Sequence, residues 1–382
     1  MKKPAGGPLT GLKVIEFAGL GPGPFAAMLL SDSGADVVRI DRPNSEPSPH
    51  PVLERGRRSV VLDLKSADGQ AIALKLAASA DLLVESFRPG VMERLGLGPE
   101  TLLSLKPSLV YARITGWGQT GPLAHTVGHD PNYVALTGAQ YAIGTADRPV
   151  LPLNIVGDYG GGGMLLAYGV MAALWHARNS GEGQVVDVAI VDGVLSMMSA
   201  LYGNLATGSF SGERSGEGAF GASPSIGLYR CADGNHVSLC AFEPRFFQTL
   251  LSRLGVADDA DISAQYDKSR WPAARAKLEA IFLRKSRDEW CALLGEDDVC
   301  LSPVLSMSEA QRHPHNVARG AFVDIDGVSV PAPVPRFSAT PAAVRGKPVQ
   351  PGEDGMGALR DWGFSSDEIE RLARKGALGA TR

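Results

Sequence analysis

Short apolar runs that are typical of buried strands alternate with helix-like segments along the first half of the chain. Residues 12–18 (LKVIEFA) and 36–41 (DVVRID) have the Val and Ile content of strands, and residues 24–35 between them open with proline and continue at helical spacing. The same pattern predicts strands at 60–65, 81–87, 109–115 and 184–190, and helices at 66–80, 90–96, 161–179 and 191–203. This alternation is typical of an α/β fold, in which helices cover a parallel sheet.

A change of composition indicates a second, smaller domain. Residues 207–225 are rich in Gly and Ser, which predicts an exposed connection. Residues 227–242 have the pattern of a hairpin around an Asp-Gly-Asn turn, and helices are predicted to about residue 298, as in an α+β domain. Residues 356–378 are predicted to end the chain with a Ser/Asp-capped helix.

The overall composition excludes several classes of function. The chain has 382 residues, 44% of them hydrophobic and 20% charged, with a formal net charge of -4, so we expect binding neither to nucleic acid nor to a membrane. Its four cysteines form no CxxC pair and no zinc-like spacing with histidine, so neither disulfides nor a metal are expected. No long apolar segment or signal-like N-terminus is present, and a cytoplasmic location is the expectation.

A glycine-rich turn at 19–27 (GLGPGPFAA) follows the first strand, in the position of a dinucleotide-binding loop. Asp41 also lies where such a fold has the acid that binds ribose. However, Pro24 replaces the third glycine and Pro22 lacks an N–H, so amides that would hold a pyrophosphate are missing. The turn is therefore predicted to be a tight strand-to-helix connection and not a nicotinamide site.

Basic residues cluster at predicted strand ends and in the loop 42–58. Such a cluster suits the phosphates of a large anionic cofactor, although a solvated loop would have the same composition. The cluster comprises Arg39, Arg42, Arg55, Arg57, Arg58 and Lys65.

His129 directly precedes a predicted helix, with Asp130 as its N-cap and Pro131 as its first residue. The positive end of that helix disfavours imidazolium by a few tenths to ~1 kcal/mol, which favours the neutral imidazole that a general base needs. The alternative is a histidine whose hydrogen bonds are satisfied in the core.

Asp158 lies at a similar junction, in the segment 155–163 (IVGDYGGGG). Its position suits a base or a nucleophile, and the alternative is an aspartate that only caps a helix. The four glycines Gly160 to Gly163 would each cost roughly 0.5–1 kcal/mol in a helix relative to alanine. The close approach of a ligand to the backbone is the predicted reason for them.

Motifs along nearly the whole chain resemble those of one enzyme family. They are residues 11–43, 85–99 (ESFRPGVMERLGLGP), 112–122 (ARITGWGQTGP), 128–133 (GHDPNY), 154–164 and 243–247 (EPRFF). These segments are similar to those of the α-methylacyl-CoA racemases in the family III CoA-transferase superfamily. The resemblance implies a Rossmann-like large domain, a small α+β domain, and an interlocked homodimer with each active site at the contact between subunits.

The resemblance also implies domain bounds and a binding site for an acyl-CoA. The large CoA-binding domain is predicted at 1–190, completed by 305–382, with a connecting helix and linker at 191–224 and the small domain at 225–304. No cofactor beyond the CoA of the substrate, and no metal, is expected. Arg42 is implied to contact the adenine end of CoA. The other residues implied to form the CoA site are Leu62, Asp63, Leu64, Lys65, Ser86, Phe87, Arg88 and Gly128.

The reaction that the resemblance implies interconverts (R)- and (S)-2-methylacyl-CoA thioesters through an enolate. Taking the α-proton from one face and returning it to the other needs two bases, which we assign to His129 and Asp158. Amides of the glycine segment are the expected donors to the enolate oxygen. Glu243 is implied to hydrogen-bond the histidine across the dimer interface, whereas its local sequence alone favours an exposed residue that starts a helix.

Two alternative functions stay open. In a family III CoA-transferase, Asp158 would be the nucleophile that forms a mixed anhydride and then a thioester with CoA, and His129 would have no task. A non-catalytic acyl-CoA binder would not need paired bases.

Overall fold

The computed structural model describes residues 6–214, 223–295 and 297–378. The chain divides into two units, of which the first comprises Met1–Ala139, Pro152–Met198 and Gly320–Arg382, and the second comprises Gln140–Leu151 and Ser199–Arg319. These bounds differ from those expected from the sequence: Gln140–Leu151 and residues 305–319 group with the second unit, and residues 191–198 group with the first. Residues 215–222 of the expected connection lie outside the described residues.

The first unit contains a six-stranded parallel sheet. Its strands are β1 Lys13–Phe17, β2 Asp36–Asp41, β3 Arg58–Val61, β4 Leu82–Glu85, β5 Val110–Thr115 and β6 Val185–Ala189. Their order across the sheet is β3-β2-β1-β4-β5-β6, which confirms the predicted Rossmann-like arrangement. The strand order reverses between β1 and β4, so a crevice opens at their carboxyl ends.

Apolar side chains cover both faces of this sheet. Ile15 belongs to the cluster around the helix Ala67–Ser79, whereas its neighbour Val14 belongs to the cluster around Pro22–Asp32 and Leu165–Ser180. Successive strand residues point to opposite faces, so burial of both faces requires apolar residues at nearly every position. This requirement explains the apolar runs in the sequence.

The C-terminal segment extends the first of these two clusters. Trp362 is buried there. The Ser/Asp-capped helix expected within 356–378 is Ser366–Arg374, and a further helix, Gly355–Asp361, precedes it. They are separate because Gly363 has a φ of 93°, and because the Ser365 side chain caps the second helix.

The strand predicted at 60–65 is shorter than expected. β3 ends at Val61, and the Lys65 N–H donates to the Asp63 side chain at 3.0 Å. Ser66 then caps the helix Ala67–Ser79 by accepting a hydrogen bond from an N–H in its first turn. Asp and Ser side chains compete for backbone groups in this way and end strands.

The helix predicted from residue 161 begins six residues earlier, as the π-helix Ile155–Met164, and continues as Leu165–Ser180. The helix predicted at 191–203 is two, Ile190–Met197 and Ser199–Ala206. The remaining elements of the first unit are the helices Val91–Arg94, Pro99–Leu105 and Asp130–Ala135, the 3-10 helix Pro51–Glu54, and the hairpin Phe322–Ile325 with Val328–Pro331.

The second unit contains a three-stranded antiparallel sheet, with His236–Cys240 between Ile226–Arg230 and Leu301–Pro303. Its hairpin confirms the one predicted at 227–242. The unit's other elements are the helices Pro244–Leu254, Trp271–Phe282, Arg287–Leu294, Met307–Ala310 and Pro314–Ala318, the 3-10 helix Lys268–Arg270, and the short strands Gly144–Thr145 and Arg148–Pro149, with Ala139–Ala142 at its first boundary. No helix in the described part of the chain is long and apolar enough to cross a membrane.

Candidate active site

A cavity of about 250 Å³ lies at the carboxyl ends of β1, β4, β5 and β6, in the crevice that the strand order creates. Its lining consists of Leu20, Gly21, Pro22, Ser86, Ile114, Thr115, Gly116, His129, Asp130, Pro131, Tyr133, Asp158 and Ile190. His129 and Asp158, which are 29 residues apart in the sequence, therefore line one cavity.

His129 is the N-cap of the helix Asp130–Ala135. Asp130 is thus the first helical residue and not the expected N-cap. The His129 N–H donates to Oδ1 of Asn132 at 3.0 Å, and the residue is exposed. This exposure excludes a histidine satisfied in the core.

Asp158 is half-buried within the π-helix Ile155–Met164. Burial raises the pKa of its carboxyl group, and the nearby charge of Asp130 raises this pKa further. A hydrogen bond from Asn154 and the charge of His129 act in the opposite direction on the same pKa. A raised pKa increases the fraction of the carboxyl that is protonated at a given pH, so that the group can return a proton as well as accept one.

The turn after β1 forms one wall of the cavity beside Asp158. A Cβ atom at Gly21 would lie 3.1 Å from Oδ2 of Asp158, and Gly21 has a φ of 70°. Gly21 is the N-cap of the helix Pro22–Asp32, so the carboxylate lies near the positive end of that helix. The glycine-rich turn is therefore the tight connection that was predicted, and it also contacts a candidate catalytic group.

The glycines after Asp158 serve helix packing and not the approach of a ligand, which corrects the prediction. A Cβ at Gly161 would lie 2.7 Å from Val194, and one at Gly163 would lie 2.6 Å from Phe25. Only glycine allows two other helices to approach the π-helix this closely. The amides of these glycines are used in the hydrogen bonds of the π-helix, so they are not free for an enolate oxygen.

Tyr133 is a cavity residue that the sequence reasoning missed. Its hydroxyl donates to the carbonyl of Gly128, and its ring packs edge-on against Trp117 with centroids 4.8 Å apart. Burial, and then the charge of Asp158, raise the pKa of its hydroxyl. Tyr133 thus fixes the segment that leads into His129. The signal for it is its place in the GHDPNY motif, one helical turn after the histidine.

Most of the expected basic cluster is engaged in ion pairs and unavailable to phosphates, which corrects that prediction. The pairs are Arg39 with Asp41 at 2.8 Å, Arg55 with Asp32 at 2.6 Å, Arg57 with Glu16 at 2.6 Å, and Arg58 with Asp36 at 2.8 Å. Arg42 and Lys65 are exposed. Arg42 lines a depression of about 440 Å³ together with Ala18, Gly19, Leu20 and the loop 44–49.

The other residues expected at the CoA site differ in exposure. The side chains of Leu62 and Leu64 are buried, whereas Asp63 is exposed. Ser86 lines the cavity, and the ring of Phe87 packs edge-on against that of Phe17, with ring centroids 6.0 Å apart. Arg88 is exposed, and its positive charge offsets part of the rise in the pKa of the Tyr133 hydroxyl. Gly128 lines a further depression of about 600 Å³ together with Trp117 and His129.

The two depressions each adjoin the cavity at the carboxyl edge of the sheet. The one at Arg42 shares Leu20 with the cavity, and the one at Gly128 shares His129 with it. The arrangement offers an extended ligand a path from an exposed arginine to the two candidate bases. Within the described residues, no group of three or more His, Cys, Asp or Glu side chains could hold a metal ion.

The family profile described as CoA-transferase family III matches residues 9–355. The chain belongs to CoA-transferase family III. It is 40% identical to the α-methylacyl-CoA racemases of Mus musculus and Homo sapiens, in each case over 95% of this chain and 96% of the relative. It is 31% identical to the succinyl-CoA–L-malate CoA-transferase alpha subunit of Chloroflexus aurantiacus, over 96% of this chain and 91% of the relative. A CaiB/BaiF family protein of Brucella suis has the same fold, with a TM-score of 0.82 and 25% identity over 94% of this chain and all of that one.

Family III relatives thus include both racemases and CoA-transferases. Membership of family III alone does not distinguish the racemase reaction from the CoA-transferase reaction. The side chains that line the cavity must distinguish them.

Glu243 lies in the second unit and is exposed. It is the N-cap of the helix Pro244–Leu254, and its carbonyl accepts the Phe247 N–H at 3.1 Å. Its local structure is that of a residue at a helix start. The hydrogen bond to His129 across a dimer interface stays a prediction.

Proposed function

We propose that this family III protein is an α-methylacyl-CoA racemase, which interconverts (R)- and (S)-2-methylacyl-CoA thioesters. The observation that carries the proposal is that a histidine and an aspartate line one cavity at the sheet edge. The 40% identity to mouse and human α-methylacyl-CoA racemases over nearly the whole chain supports it.

The two bases act on opposite faces of the α-carbon. For one epimer, neutral His129 removes the α-proton and protonated Asp158 returns a proton to the other face. For the opposite epimer, the Asp158 carboxylate removes the proton and imidazolium returns it. The raised pKa of Asp158 supports this exchange of roles, because burial and the charge of Asp130 favour the protonated carboxyl that returns a proton.

The enolate oxygen needs a donor other than the glycine amides. Helix geometry leaves the N–H of Asp130 without an intrahelical acceptor, because Asp130 is the first residue of its helix. Asp130 also lines the cavity. We assign its N–H to the enolate oxygen, where the positive end of the helix adds to the stabilisation.

The CoA part of the substrate is proposed to follow the depressions along the sheet edge, with Arg42 and Lys65 near its phosphates. Both are exposed and neither forms an ion pair within the described residues, in contrast to the buried arginines nearby. The reaction as proposed uses protein side chains and the substrate's own thioester, without a further cofactor.

The protein is further proposed to be a homodimer, in which Glu243 of one subunit assists His129 of the other. Several large apolar side chains in the first unit support an interface, since each is 67% to 72% exposed. They are Leu20, Val127, Leu153, Tyr168 and Trp175.

A family III CoA-transferase is the second candidate. Asp158 near a helix N-terminus suits a nucleophile as well as a base, and one relative is a named CoA-transferase. Such a reaction gives His129 no proton to carry.

Substitution of each base separates these functions. The purified protein is incubated with one 2-methylacyl-CoA epimer, without a free carboxylic acid, and the epimer ratio is followed by chiral chromatography. We expect racemisation by the wild type and its loss in both His129→Ala and Asp158→Ala. A transferase would require an acid acceptor, and hydroxylamine added during its turnover would trap the acylated aspartate as a hydroxamate. Trapping at Asp158, or near wild-type racemisation by either variant, would contradict the proposal.

A further inference from the structure

Asp130 is a buried carboxyl group beside a candidate base, and its side chain has no part in the mechanism so far. The residue is only 7% exposed. Its Oδ1 accepts the N–H of Asp158 at 2.7 Å, and the N–H of Gly157 donates to the same carboxyl group. Burial raises the pKa of the Asp130 carboxyl, and these two amides offset part of that effect.

Gly157 has no space for a side chain because of this contact. A Cβ atom there would lie 2.1 Å from Oδ1 and 2.8 Å from Cγ of Asp130. The backbone that carries Asp158 therefore lies directly against the Asp130 carboxylate. One carboxylate thereby joins the start of the helix Asp130–Ala135, next to His129, to the π-helix that carries Asp158.

We propose that Asp130 is a positioning residue for proton transfer, whose carboxylate holds Asp158 in register with His129 and keeps a negative charge beside it. The inference rests on the proposed racemase function for its effect on turnover, while the contact itself is a feature of the fold. Because a small misplacement of a catalytic group can cost on the order of 10²-fold in rate, a tether between the two bases has a direct kinetic consequence.

The charge of Asp130 has a second effect, on the titration of Asp158. The groups that act on Asp158 are Asp130, which raises its pKa after burial, and His129 and the Asn154 side chain, which lower it. Tyr133 lines the same cavity as Asp158, and the charge of Asp158 adds to the effect of burial in raising the pKa of the Tyr133 hydroxyl. The helix Pro22–Asp32 presents its N-cap Gly21, and the helix Ile190–Met197 presents the apolar Ile190.

The substitution Asp130→Asn removes the negative charge of this residue but keeps an oxygen that accepts hydrogen bonds. The amide oxygen of asparagine still accepts the two N–H groups, so we expect the thermal stability to stay near that of the wild type. Loss of the negative charge lowers the pKa of Asp158. The limb of the kcat/KM profile that reports Asp158 should move to lower pH for both epimers, because Asp158 is the base for one and the acid for the other.

Two further variants test the tether. Asp130→Ala removes the acceptor, and Gly157→Ala forces the carboxylate away from the backbone, so both should lower kcat by on the order of 10²-fold with a smaller change in KM. The exposed Asp367, on the helix Ser366–Arg374, provides the control, since Asp367→Asn removes one charge outside the cavity and should leave the profile unchanged.

A measurement that needs no turnover tests the role of Asp130 independently of the proposed function. The carboxyl carbon of Asp158 is titrated by NMR in 13C-labelled wild type and Asp130→Asn. A lower Asp158 pKa in the variant supports the inference even if the wild type does not racemise, in which case only the proposed function fails. An unchanged Asp158 pKa, or full activity of a folded Asp130→Ala, overturns the inference and leaves the proposed function standing.

Discussion

Two arginines within sixteen residues of each other illustrate what burial does to a charged side chain. Arg57 is buried in an ion pair with Glu16 at 2.6 Å, whereas Arg42 is exposed at the edge of a depression. Removal of either partner of the first pair would leave an uncompensated charge in the core, whereas the second arginine is free to bind an anion.

Removal of Arg57 should destabilise the fold. Arg57→Leu leaves the Glu16 carboxylate buried without its partner, which typically costs about 3–5 kcal/mol in the free energy of unfolding. Urea denaturation followed by circular dichroism measures this change. The double variant Glu16→Gln/Arg57→Leu should recover part of the loss, and a single variant as stable as the wild type would show that the pair is not buried.

Removal of Arg42 should weaken CoA binding without unfolding the protein. Arg42→Ala is expected to raise the Kd for CoA by about tenfold at low salt, because a charge-assisted hydrogen bond is worth about 1.5–3 kcal/mol before solvent screening. The effect should shrink as salt is added. Calorimetric titration measures it, with Arg374→Ala as the exposed control. Equal Kd values for Arg42→Ala and the wild type would remove Arg42 from the binding site.

The sequence predicted which residue types gather near the cleft, but not which arginines are free. Arg55 pairs with Asp32 and Arg57 pairs with Glu16, across 23 and 41 residues of sequence. Such partners come together only through the pairing of strands, which local patterns do not encode. The exposure of His129 likewise depends on tertiary packing.

At the scale of elements, the π-helix Ile155–Met164 depends on its glycines for close packing. Gly162→Ala would place a Cβ 2.9 Å from the Cβ of Pro22 and 3.2 Å from Ile190, so it should cost about 1–3 kcal/mol in stability and lower activity by displacing Asp158.

Gly203→Ala is the matched control for that substitution. Its Cβ meets nothing within 4 Å, and it lies in the helix Ser199–Ala206, so alanine should be neutral or stabilise by up to about 1 kcal/mol. Thermal melts of both variants provide the measurement. A Gly162→Ala protein as stable as Gly203→Ala would show that the helices do not pack as described.

The strands of the large sheet were predictable because buried parallel strands must be apolar throughout. The segment 36–41 was predicted with the bounds that β2 has. The π-helix was not predictable, since four glycines are locally unfavourable in any helix and only their neighbours on Pro22–Asp32 and Ile190–Met197 account for them. Asp158 was expected just before a helix, whereas it lies within the π-helix, and the reason given for its glycines was wrong.

At the scale of the molecule, the exposed apolar side chains of the first unit predict self-association. We expect light scattering to give the mass of a dimer at micromolar concentration and no dissociation on dilution, because the two chains are proposed to interlock and would then separate only by unfolding. Trp175→Glu, at a side chain that is 70% exposed in the single chain, should lower the thermal stability of the folded dimer, because the new charge would be buried at the subunit contact. A monomer of wild-type protein at micromolar concentration would contradict the proposed assembly.

The division into units was only partly predictable from the sequence. The composition change at residues 207–225 indicates a second unit, but residues 140–151 join that unit although they lie between helices of the first. No local feature of this short segment distinguishes it from a loop, because its grouping follows from contacts made more than fifty residues later, such as that of Arg214 with the Tyr141 carbonyl.

The central claim is that His129 and Asp158 exchange protons with the α-carbon of a CoA thioester. Its most direct test is to incubate the wild type with one 2-methylacyl-CoA epimer and a 13C-labelled free acid in deuterated water, following the α-position and the label by NMR. The account predicts that deuterium enters the α-position as the other epimer forms, while the labelled acid stays free. Transfer of CoA to the labelled acid, with no deuterium at the α-carbon, would contradict it.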